Sequence, residues 1–372
     1  MTQRKVLITG GAGFIGSHLA DALVSSGDRV RVLDSLLPQV HGSEGRRPDY
    51  LSKEIELMVG DVRDADAVKR ALDGVDVVVH FAARVGVGQS MYEIEEYTDV
   101  NNRGTAVLLD QLAKRPVQRL LVASSMSIYG EGLYRAGSEV LHAVSRKVDD
   151  LKRGQWEPLG PRGEALEPLP TPESKQPALA SVYALSKYDQ ERMCLLVGEA
   201  YGIPTVALRF FNVYGTRQAL SNPYTGVLAI FASRLLNARS PLVFEDGLQR
   251  RDFVHVDDVV QACVRSLEVE QAAGQVFNVG SGQVYTVRDI ARAMAEVTGK
   301  ASIRPELTGK YRVGDIRHCF ADISHAKQVL GYAPSVSFDR GLSELAAWLE
   351  GRVAIDRVDE ARAQLSERGL TL

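Results

Sequence analysis

The chain has 372 residues with a formal net charge of −3, of which 45% are hydrophobic and 24% charged. These values indicate a soluble globular protein of one or two domains, and the small net charge argues against a nucleic-acid-binding surface. No apolar run is long enough to span a membrane. Because the three cysteines are far apart and the first strand begins too early to leave room for a signal peptide, we expect a reduced, cytoplasmic protein without a disulfide framework or a metal site.

The N-terminal segment has the pattern of a strand that turns directly into a helix. A β-branched, apolar run over 5–9 ends at glycine, and an apolar-periodic helix follows at once. Gly10 would make the turn, Gly13 would let the backbone approach a pyrophosphate, and Gly16 would let the helix pack on the strand. The helix N-terminus would offer free N–H groups to the phosphates.

An acidic residue closes the second predicted strand, over 29–34. Asp34 lies about 20 residues beyond the glycines, where a carboxylate accepts both hydroxyls of an adenosine ribose. The same carboxylate would repel the 2′-phosphate of NADP. The glycine spacing alone also fits an ordinary glycine turn, but together with Asp34 it predicts an NAD-binding site.

Strands and helices alternate through the rest of the first half. We predict strands at 55–59, 75–81, 119–123 and 205–211, and helices at 65–72, 100–113 and 182–201. This rhythm predicts an α/β fold, a Rossmann doubly wound parallel sheet with a smaller, interleaved α/β substrate domain. Ligands of such sheets bind beyond the carboxyl ends of the strands.

The segment 131–180 interrupts this rhythm, since it is polar, proline-rich and too long for an ordinary loop. Later helices are predicted at 227–236, 287–297, 324–330 and 342–350. We assign 1–211 and 252–279 to an NAD-binding domain with 131–180 inserted, 212–251 and 280–350 to a substrate domain, and 351–372 to a helical C-terminal tail.

Tyr183 and Lys187 are four residues apart on a predicted helix, so their side chains share one face. A nearby ammonium stabilises a phenolate and lowers the tyrosine pKa from its ordinary value of about 10. Such a tyrosine can accept a hydroxyl proton while hydride leaves the same carbon, and the lysine can hold the nicotinamide ribose. The same pair also fits an ordinary solvated helix face.

Four further polar residues are candidates for the same site. Ser125, at the end of a strand, could hydrogen-bond the same substrate oxygen, and Asn101 begins the helix before that strand. Arg251 and Arg312 could make charge-assisted hydrogen bonds to a diphosphate. Each also has an ordinary interpretation as a turn residue, a helix N-terminal residue or a surface arginine.

Taken together, these features resemble the extended short-chain dehydrogenase/reductase superfamily, in its nucleotide-sugar epimerase/dehydratase branch. The resemblance covers about 5–334. The motifs that carry it are 9–16, Asp34, Gly60-Asp61-Val62, His80-Phe81-Ala82-Ala83, Asn101 ahead of Gly104-Thr105, Ser124-Ser125, Tyr183 with Lys187, 209–215, 251–256, 277–280 and 314–318.

The resemblance implies a catalytic set of Ser125, Tyr183 and Lys187. It implies NAD as the cofactor, bound by Gly10, Gly13, Phe14, Ile15, Gly16, Asp34, Asp61, Val62, Phe81, Ala82, Ala83, Asn101, Ser124, Tyr183, Lys187 and Phe210. It implies a nucleotide-diphosphate sugar as the substrate, contacted by Ser125, Met126, Ser127, Tyr183, Asn212, Val227, Arg251, Arg312, Asp315 and Cys319. Cys319 fits equally a small, buried hydrophobic residue. The resemblance also implies a homodimer, through helices 100–113 and 182–201.

One departure from the family pattern narrows the reaction. The sugar 4,6-dehydratases carry an Asp-Glu pair just after the catalytic Ser or Thr, and Met126 and Ser127 occupy those positions here. We therefore expect a 4-epimerase that works through a 4-keto intermediate. The alternatives are a UDP-sugar or UDP-uronate 4-epimerase, a decarboxylase or 4-keto reductase, and a catalytically idle NAD-binding scaffold.

The insertion suggests a substrate. Trp156-Glu157-Pro158 is similar to a segment of dTDP-L-rhamnose 4-epimerase-like proteins that leads into a Cys-Pro-x-Cys zinc knuckle. Gly160 and Gly163 stand where the cysteines would be, and glycine cannot ligate zinc. The resemblance therefore favours a dTDP-6-deoxyhexose and predicts no metal, although a variable surface insertion would explain the segment equally well.

Overall fold

The computed structural model describes residues 3–224, 226–312 and 314–371. Its strands are, in chain order, β1 (Lys5–Thr9), β2 (Arg29–Asp34), β3 (Glu56–Val59), β4 (Val77–His80), β5 (Arg119–Ser125), β6 (Leu133–Ala136), β7 (Glu139–Leu141), β8 (Glu167–Leu169), β9 (Thr205–Phe210), β10 (Asn212–Tyr214), β11 (Leu242–Val243), β12 (Arg250–Arg251), β13 (Phe253–His255), β14 (Val276–Val279), β15 (Tyr285–Thr286), β16 (Glu306–Leu307) and β17 (His318–Cys319).

The helices of the described residues are α1 (Phe14–Ser25), α2 (Pro38–His41), α3 (Ala65–Ala71), α4 (Val87–Ser90), α5 (Ile94–Tyr97), α6 (Gly104–Lys114), α7 (Val148–Lys152), α8 (Val182–Tyr201), α9 (Val227–Leu236), α10 (Val256–Glu268), α11 (Val287–Val297), α12 (Ser324–Leu330), α13 (Phe338–Leu349) and α14 (Val358–Glu367). A π-helical segment, Thr98–Arg103, leads into α6, and 3-10 turns lie at Met126–Tyr129 and Glu270–Ala272. Of these helices, none has the length and apolar character required to cross a membrane.

Seven parallel strands form the central sheet, in the order β14-β9-β5-β4-β1-β2-β3. All residues of β4 and β5 are buried, because helices cover both faces of the sheet. This order confirms the predicted Rossmann doubly wound sheet.

Two apolar cores sandwich the sheet. On one face, Leu19 of α1 and Cys263 of α10 are fully buried together with Ile8 of β1. On the other face, Leu108 of α6 and Cys194 of α8 pack with neighbouring strand residues. Neighbouring strand side chains point to opposite cores and so position the helices on both faces, and the carboxyl ends of the strands remain at one edge.

A third core lies beside that edge, in the proposed substrate domain. It is built from α9, α11 and α13, with Phe231, Met294 and Leu345 buried at its centre. Its short strands include β12, which pairs antiparallel with β15 and parallel with β17. This pairing brings Arg251 opposite Cys319, so two distant segments of the chain meet beside the cleft.

The insertion 131–180 has its own small sheet. Strand β6 lies between β7 and β8 and pairs antiparallel with both. Its strands have three or four residues each, too few for an alternating pattern to appear in the sequence. Helices α2, α4 and α5 have four residues each, which is too few for a helical period to appear in the sequence, so the sequence does not predict them.

A buried arginine joins the insertion to the proposed substrate domain. Arg317 is fully buried, and its Nη1 lies 2.8 Å from Glu245 Oε2 and 2.7 Å from Asp246 Oδ1. Its Nε donates to Glu157 Oε1 of the insertion at 2.9 Å. Each partner compensates part of the cost of burying the guanidinium charge.

A second arginine, Arg146 of the insertion, extends this ionic network. Its Nε lies 3.0 Å from Glu131 Oε1, and its Nη1 lies 2.5 Å from Glu245 Oε1. Glu131 also accepts hydrogen bonds from the Arg317 backbone N at 2.8 Å and from the Tyr134 hydroxyl at 2.7 Å. The insertion is therefore held by buried charges rather than by a large apolar core of its own.

We predict that Glu157 makes folding stability depend on pH in acid. Its partial burial alone would raise its pKa, but hydrogen bonds from His318 and Arg317 outweigh burial and lower the pKa from 4.5 to about 2. A carboxylate with a lowered pKa in the folded state stabilises it above pH 4.5, and that stabilisation is lost as pH falls toward 2.

Urea unfolding of wild type and Glu157→Gln at several pH values checks this prediction. The variant should be less stable than wild type at pH 7, and the difference should narrow progressively below a pH of about 4.5. Glu139→Gln is the matched control, since Glu139 is exposed on β7. A stability difference for Glu157→Gln that is constant from neutral pH into acid would contradict the expectation.

Candidate active site

The carboxyl ends of β1, β2, β4, β5 and β9 open onto a cleft of about 730 Å³. The cleft lies between the sheet and the proposed substrate domain. Most of the predicted site residues line it: Gly10, Gly13, Phe14, Ile15, Gly16, Asp34, Asp61, Val62, Phe81, Ala82, Ala83, Ser124, Ser125, Met126, Ser127, Tyr183, Lys187, Phe210, Asn212, Val227, Arg251, Arg312 and Asp315.

The glycine loop has no room for side chains at two positions. Gly10 has a φ of +70°, and a Cβ added there would lie 2.8 Å from the Ala82 backbone N. A Cβ at Gly16 would lie 2.6 Å from Gly10 O, because α1 packs directly on the turn. The result is a close-packed cradle at the N-terminus of α1, which fits a pyrophosphate.

The Asp34 carboxylate is fixed at the end of β2. Its Oδ2 accepts from Ala12 N at 3.0 Å, and its Oδ1 accepts from Leu36 N at 2.9 Å. The side chain is mostly buried but lines the cleft. Each oxygen retains lone-pair capacity for a further donor, which suits a ribose diol.

Asp61 lies beyond the end of β3 and is clamped by its neighbour. Arg63 donates to Asp61 from its backbone N at 2.8 Å and from Nη2 at 2.7 Å. Burial alone would raise the Asp61 pKa, but these hydrogen bonds outweigh it and the pKa is lowered. The carboxylate is therefore charged and held in one orientation beside Val62.

Tyr183 and Lys187 enter the cleft from the first turns of α8. The Ser181 hydroxyl caps this helix by accepting from Ala184 N at 3.1 Å. Tyr183 N donates to Ser90 Oγ at 3.0 Å, and the Tyr183 ring packs edge-on against Tyr97. The helix start and α4 thus fix the position of the phenol.

Burial controls the protonation of both groups. It raises the Tyr183 pKa, while a hydrogen bond with Ser125 works against the rise. Burial also lowers the Lys187 pKa to about 8, and Lys187 Nζ donates to Gln190 Oε1 at 2.8 Å. In the protein alone, burial therefore outweighs any lowering of the Tyr183 pKa by Lys187, whose ammonium is bonded to Gln190.

The turn after β5 presents hydroxyl groups to the cleft. Ser125 Oγ and Ser127 Oγ are 2.5 Å apart, and Ser127 N donates to Ser125 Oγ at 3.2 Å. Ser124 Oγ donates to Glu191 Oε2 at 2.6 Å, which anchors the turn to α8. At 126–127 the turn offers a thioether and a hydroxyl, neither of which is a carboxyl acid or base.

Two arginines on the opposite wall differ in their partners. Arg312 is paired with Asp315, with Nε 3.0 Å from Oδ2. Within the described residues, Arg251 donates only to backbone carbonyls, to Arg250 O and Arg317 O at 2.9 Å each and to Ile316 O. Arg251 therefore keeps a positive charge that no carboxylate of the described chain segments balances.

Two predicted contact residues do not reach the cleft. Asn101 is fully buried, with Oδ1 accepting from Arg84 N at 2.7 Å and Nδ2 donating to Ser186 Oγ at 2.9 Å. It orients the loop after β4 rather than lining the site. Cys319 is fully buried in the core behind Arg251, which agrees with its interpretation as a small hydrophobic residue.

The sequence did not point to two residues that support the site from behind. His80 Nδ1 lies 2.8 Å from Thr9 Oγ1, and burial with the Lys187 charge lowers its pKa to about 3, so the ring is neutral. Gln190 bonds both Lys187 and Thr105, whose hydroxyl accepts from its Nε2 at 2.8 Å. The motif 80–83 contained His80, but nothing in the pattern indicated Gln190.

Hydrogen bonds close the loop that contains Gly160 and Gly163. Gly160 N donates to Glu164 O at 2.8 Å, and Arg162 N donates to Glu164 Oε2 at 2.8 Å. In the described parts of the chain, the one group of three His, Cys or carboxylate side chains with metal-ligand spacing is His255, Asp257 and Glu344, away from this loop. The absence of zinc stays a prediction.

Comparisons with known proteins agree with this geometry. The model of the NAD dependent epimerase/dehydratase family matches residues 6–149 and 155–280. A dTDP-L-rhamnose 4-epimerase from Burkholderia thailandensis is 37% identical over 357 residues, covering 93% of this chain and 95% of that protein.

Solved structures of two epimerases are similar over most of their length. The UDP-glucose 4-epimerase of Thermotoga maritima, solved with UDP-glucose, is 30% identical with a TM-score of 0.75, covering 92% of this chain and 98% of that one. The UDP-glucuronic acid 4-epimerase of Bacillus cereus, solved with UDP-glucuronic acid and NAD, is 28% identical with a TM-score of 0.75, covering 93% and 99%.

The family model spans the seven strands of the central sheet, from residue 6 to residue 280. The matches agree with the glycine cradle at the start of α1 and with the fixed Asp34 carboxylate, and they confirm the resemblance and the cofactor predicted from the motifs. The chain is therefore an NAD-dependent enzyme and belongs to the NAD dependent epimerase/dehydratase family.

Proposed function

We propose that this enzyme is a nucleotide-sugar 4-epimerase, with a dTDP-6-deoxyhexose as its favoured substrate. The observation that carries the proposal is the Tyr183 phenol, which lines the same cleft as Ser125 and the glycine cradle and lies one helical turn from Lys187. The 37% identity to a dTDP-L-rhamnose 4-epimerase supports the sugar class.

The residues described above would hold NAD at defined points. The cradle of Gly10 and Gly13 would take the pyrophosphate, Asp34 the adenosine ribose, Asp61 with Val62 the adenine, and Lys187 the nicotinamide ribose. When bound, NAD supplies a reversible acceptor for the hydrogen of the sugar carbon.

The proton chemistry belongs to the protein. Tyr183 would take the proton of the C4 hydroxyl and later return it, while the Ser125 hydroxyl would hold the same oxygen. The 4-keto sugar would turn about its bond to the diphosphate and present its other face. Lys187, kept positively charged below its pKa of about 8, would stabilise the phenolate in this cycle.

The turn after β5 argues against dehydration. Removal of water from a 4-keto sugar needs an acid and a base beside the reacting carbons, and Met126 and Ser127 supply neither. Epimerisation needs only the phenol and the reused cofactor. The proposed homodimer, through α6 and α8, and the cytoplasmic location remain predictions.

Incubation with dTDP-, UDP- and GDP-sugars, followed by proton NMR of the C4 configuration, tests the proposal. We expect a dTDP-6-deoxyhexose to reach a mixture of C4 epimers with no net change in NADH absorbance. Stoichiometric NADH formation would indicate net oxidation, as in a decarboxylase, and turnover of a UDP-sugar or UDP-uronate alone would overturn the proposed substrate. No turnover with any sugar would favour an idle NAD-binding protein.

A further inference from the structure

The C-terminal segment 354–371 forms one wall of the cleft. Four residues on one side of α14 line it, namely Val358, Ala361, Arg362 and Leu365. The segment therefore does not project into solvent as a separate tail, and its side chains face the space in which the substrate is proposed to bind.

Contacts on both sides of the cleft fix this segment. On the substrate-domain side, Arg234 Nη1 lies 3.0 Å from Asp359 Oδ1. On the NAD side, the Tyr92 hydroxyl donates to Gln364 Oε1 at 2.9 Å, and Leu365 packs close to Gly88. Because α14 is held from both sides, the position of Arg362 between these contacts is defined.

The charges of the cleft single out two arginines. Four of the arginines that line the cleft are each paired with a carboxylate at 2.7 to 3.0 Å. The pairs are Arg63 with Asp61, Arg84 with Glu93, Arg217 with Asp21, and Arg312 with Asp315. Within the described ranges, Arg251 and Arg362 have no carboxylate partner. Among the cleft-lining arginines of the described residues, these two therefore carry positive charges without a carboxylate partner.

We propose that Arg362 binds the diphosphate of the nucleotide sugar together with Arg251. The inference rests on the proposed function, since it concerns the same substrate. A nucleoside diphosphate sugar carries a negative charge on each phosphate, and two guanidinium groups can form charge-assisted hydrogen bonds with them. The N-terminus of α1 serves the pyrophosphate of NAD, which leaves these two arginines for the substrate.

Isothermal titration of the NAD-saturated protein with dTDP and with UDP tests the inference. Arg362→Gln should weaken binding of the nucleoside diphosphate by about 10- to 100-fold. Arg362→Lys should recover part of that loss. The matched control is Arg357→Gln, which makes the same change at an exposed position adjoining the same helix and should bind like wild type. Thymidine and uridine, which lack phosphates, should show no difference between variants.

The outcomes separate this inference from the proposed function. If Arg362→Gln binds dTDP and UDP as tightly as Arg357→Gln does, the proposed role of Arg362 is wrong. This result would leave the proposed function untouched. Weaker binding by Arg362→Gln, with no sugar epimerised by wild type, would support Arg362 and overturn the epimerase. A wild-type protein that binds neither dTDP nor UDP would overturn both.

Discussion

Replacing Tyr183 by phenylalanine should lower kcat of epimerisation by about 10²- to 10⁴-fold, the range expected for loss of a positioned acid–base group. The phenol is a titratable group that lines the cleft together with Ser125, and phenylalanine fills nearly the same volume without the hydroxyl. The edge-on packing against Tyr97 should survive, so NAD content and thermal stability should stay near wild-type values.

Steady-state kinetics with the best substrate from the sugar panel provide the measurement. Tyr188→Phe is the control, because Tyr188 lies on the same helix, packs against the core and is not among the cleft-lining residues. Near-normal kcat in Tyr183→Phe would remove this residue from the proposed mechanism. An equal loss in Tyr188→Phe would show that the effect comes from α8 packing.

Replacing Arg317 by methionine should lower the free energy of unfolding by about 3–5 kcal/mol, as expected when one partner of a buried ionic cluster is removed. Glu245 is almost fully buried and would lose its contact with Arg317 Nη1 at 2.8 Å. Asp246 and Glu157 would lose hydrogen bonds in the same change. Because methionine fills much of the volume of the arginine side chain, the loss of unfolding free energy reports mainly the loss of the charge.

Urea unfolding at pH 7 measures this change, and Arg304→Met is the control, because Arg304 is exposed. A loss no larger in Arg317→Met than in the control would show that the buried charges contribute little to stability. The Arg317 carbonyl also accepts from Arg251. Because loss of the buried charge contacts should displace this backbone, which holds Arg251, we expect KM for the nucleotide sugar to rise in Arg317→Met.

The elements that agree with the sequence prediction are those whose pattern is local. Strand β1, helix α8 and helix α11 have the predicted bounds, because apolar periodicity and capping residues act within a few residues of each other. The glycine loop belongs to this class. Its steric requirement arises from a turn between adjacent elements, and Asp34 ends the next strand of the same unit.

Motifs that follow strands let the sequence bring part of the candidate site together, while the roles of these residues stay predictions. Parallel strands bring their carboxyl ends to one edge, so Ser125, Tyr183 and Lys187 could be expected near the glycine loop. The resemblance assigned two further residues to the site, and both side chains are buried and absent from the cleft lining. Asn101 and Cys319 occur in family motifs, but a motif does not show whether a side chain faces the cleft or the core.

The sequence by itself determined the βαβ sheet, the NAD site and the chemical groups in the cleft, since each depends on neighbouring residues. Only the tertiary structure decided the charge states and the walls of that cleft. Burial raises the Tyr183 pKa, and the contact between Arg317 N and Glu131 joins positions 186 residues apart. Desolvation and long-range ion pairs have no sequence period, so the insertion network and the position of Arg362 emerge only when the chain is folded.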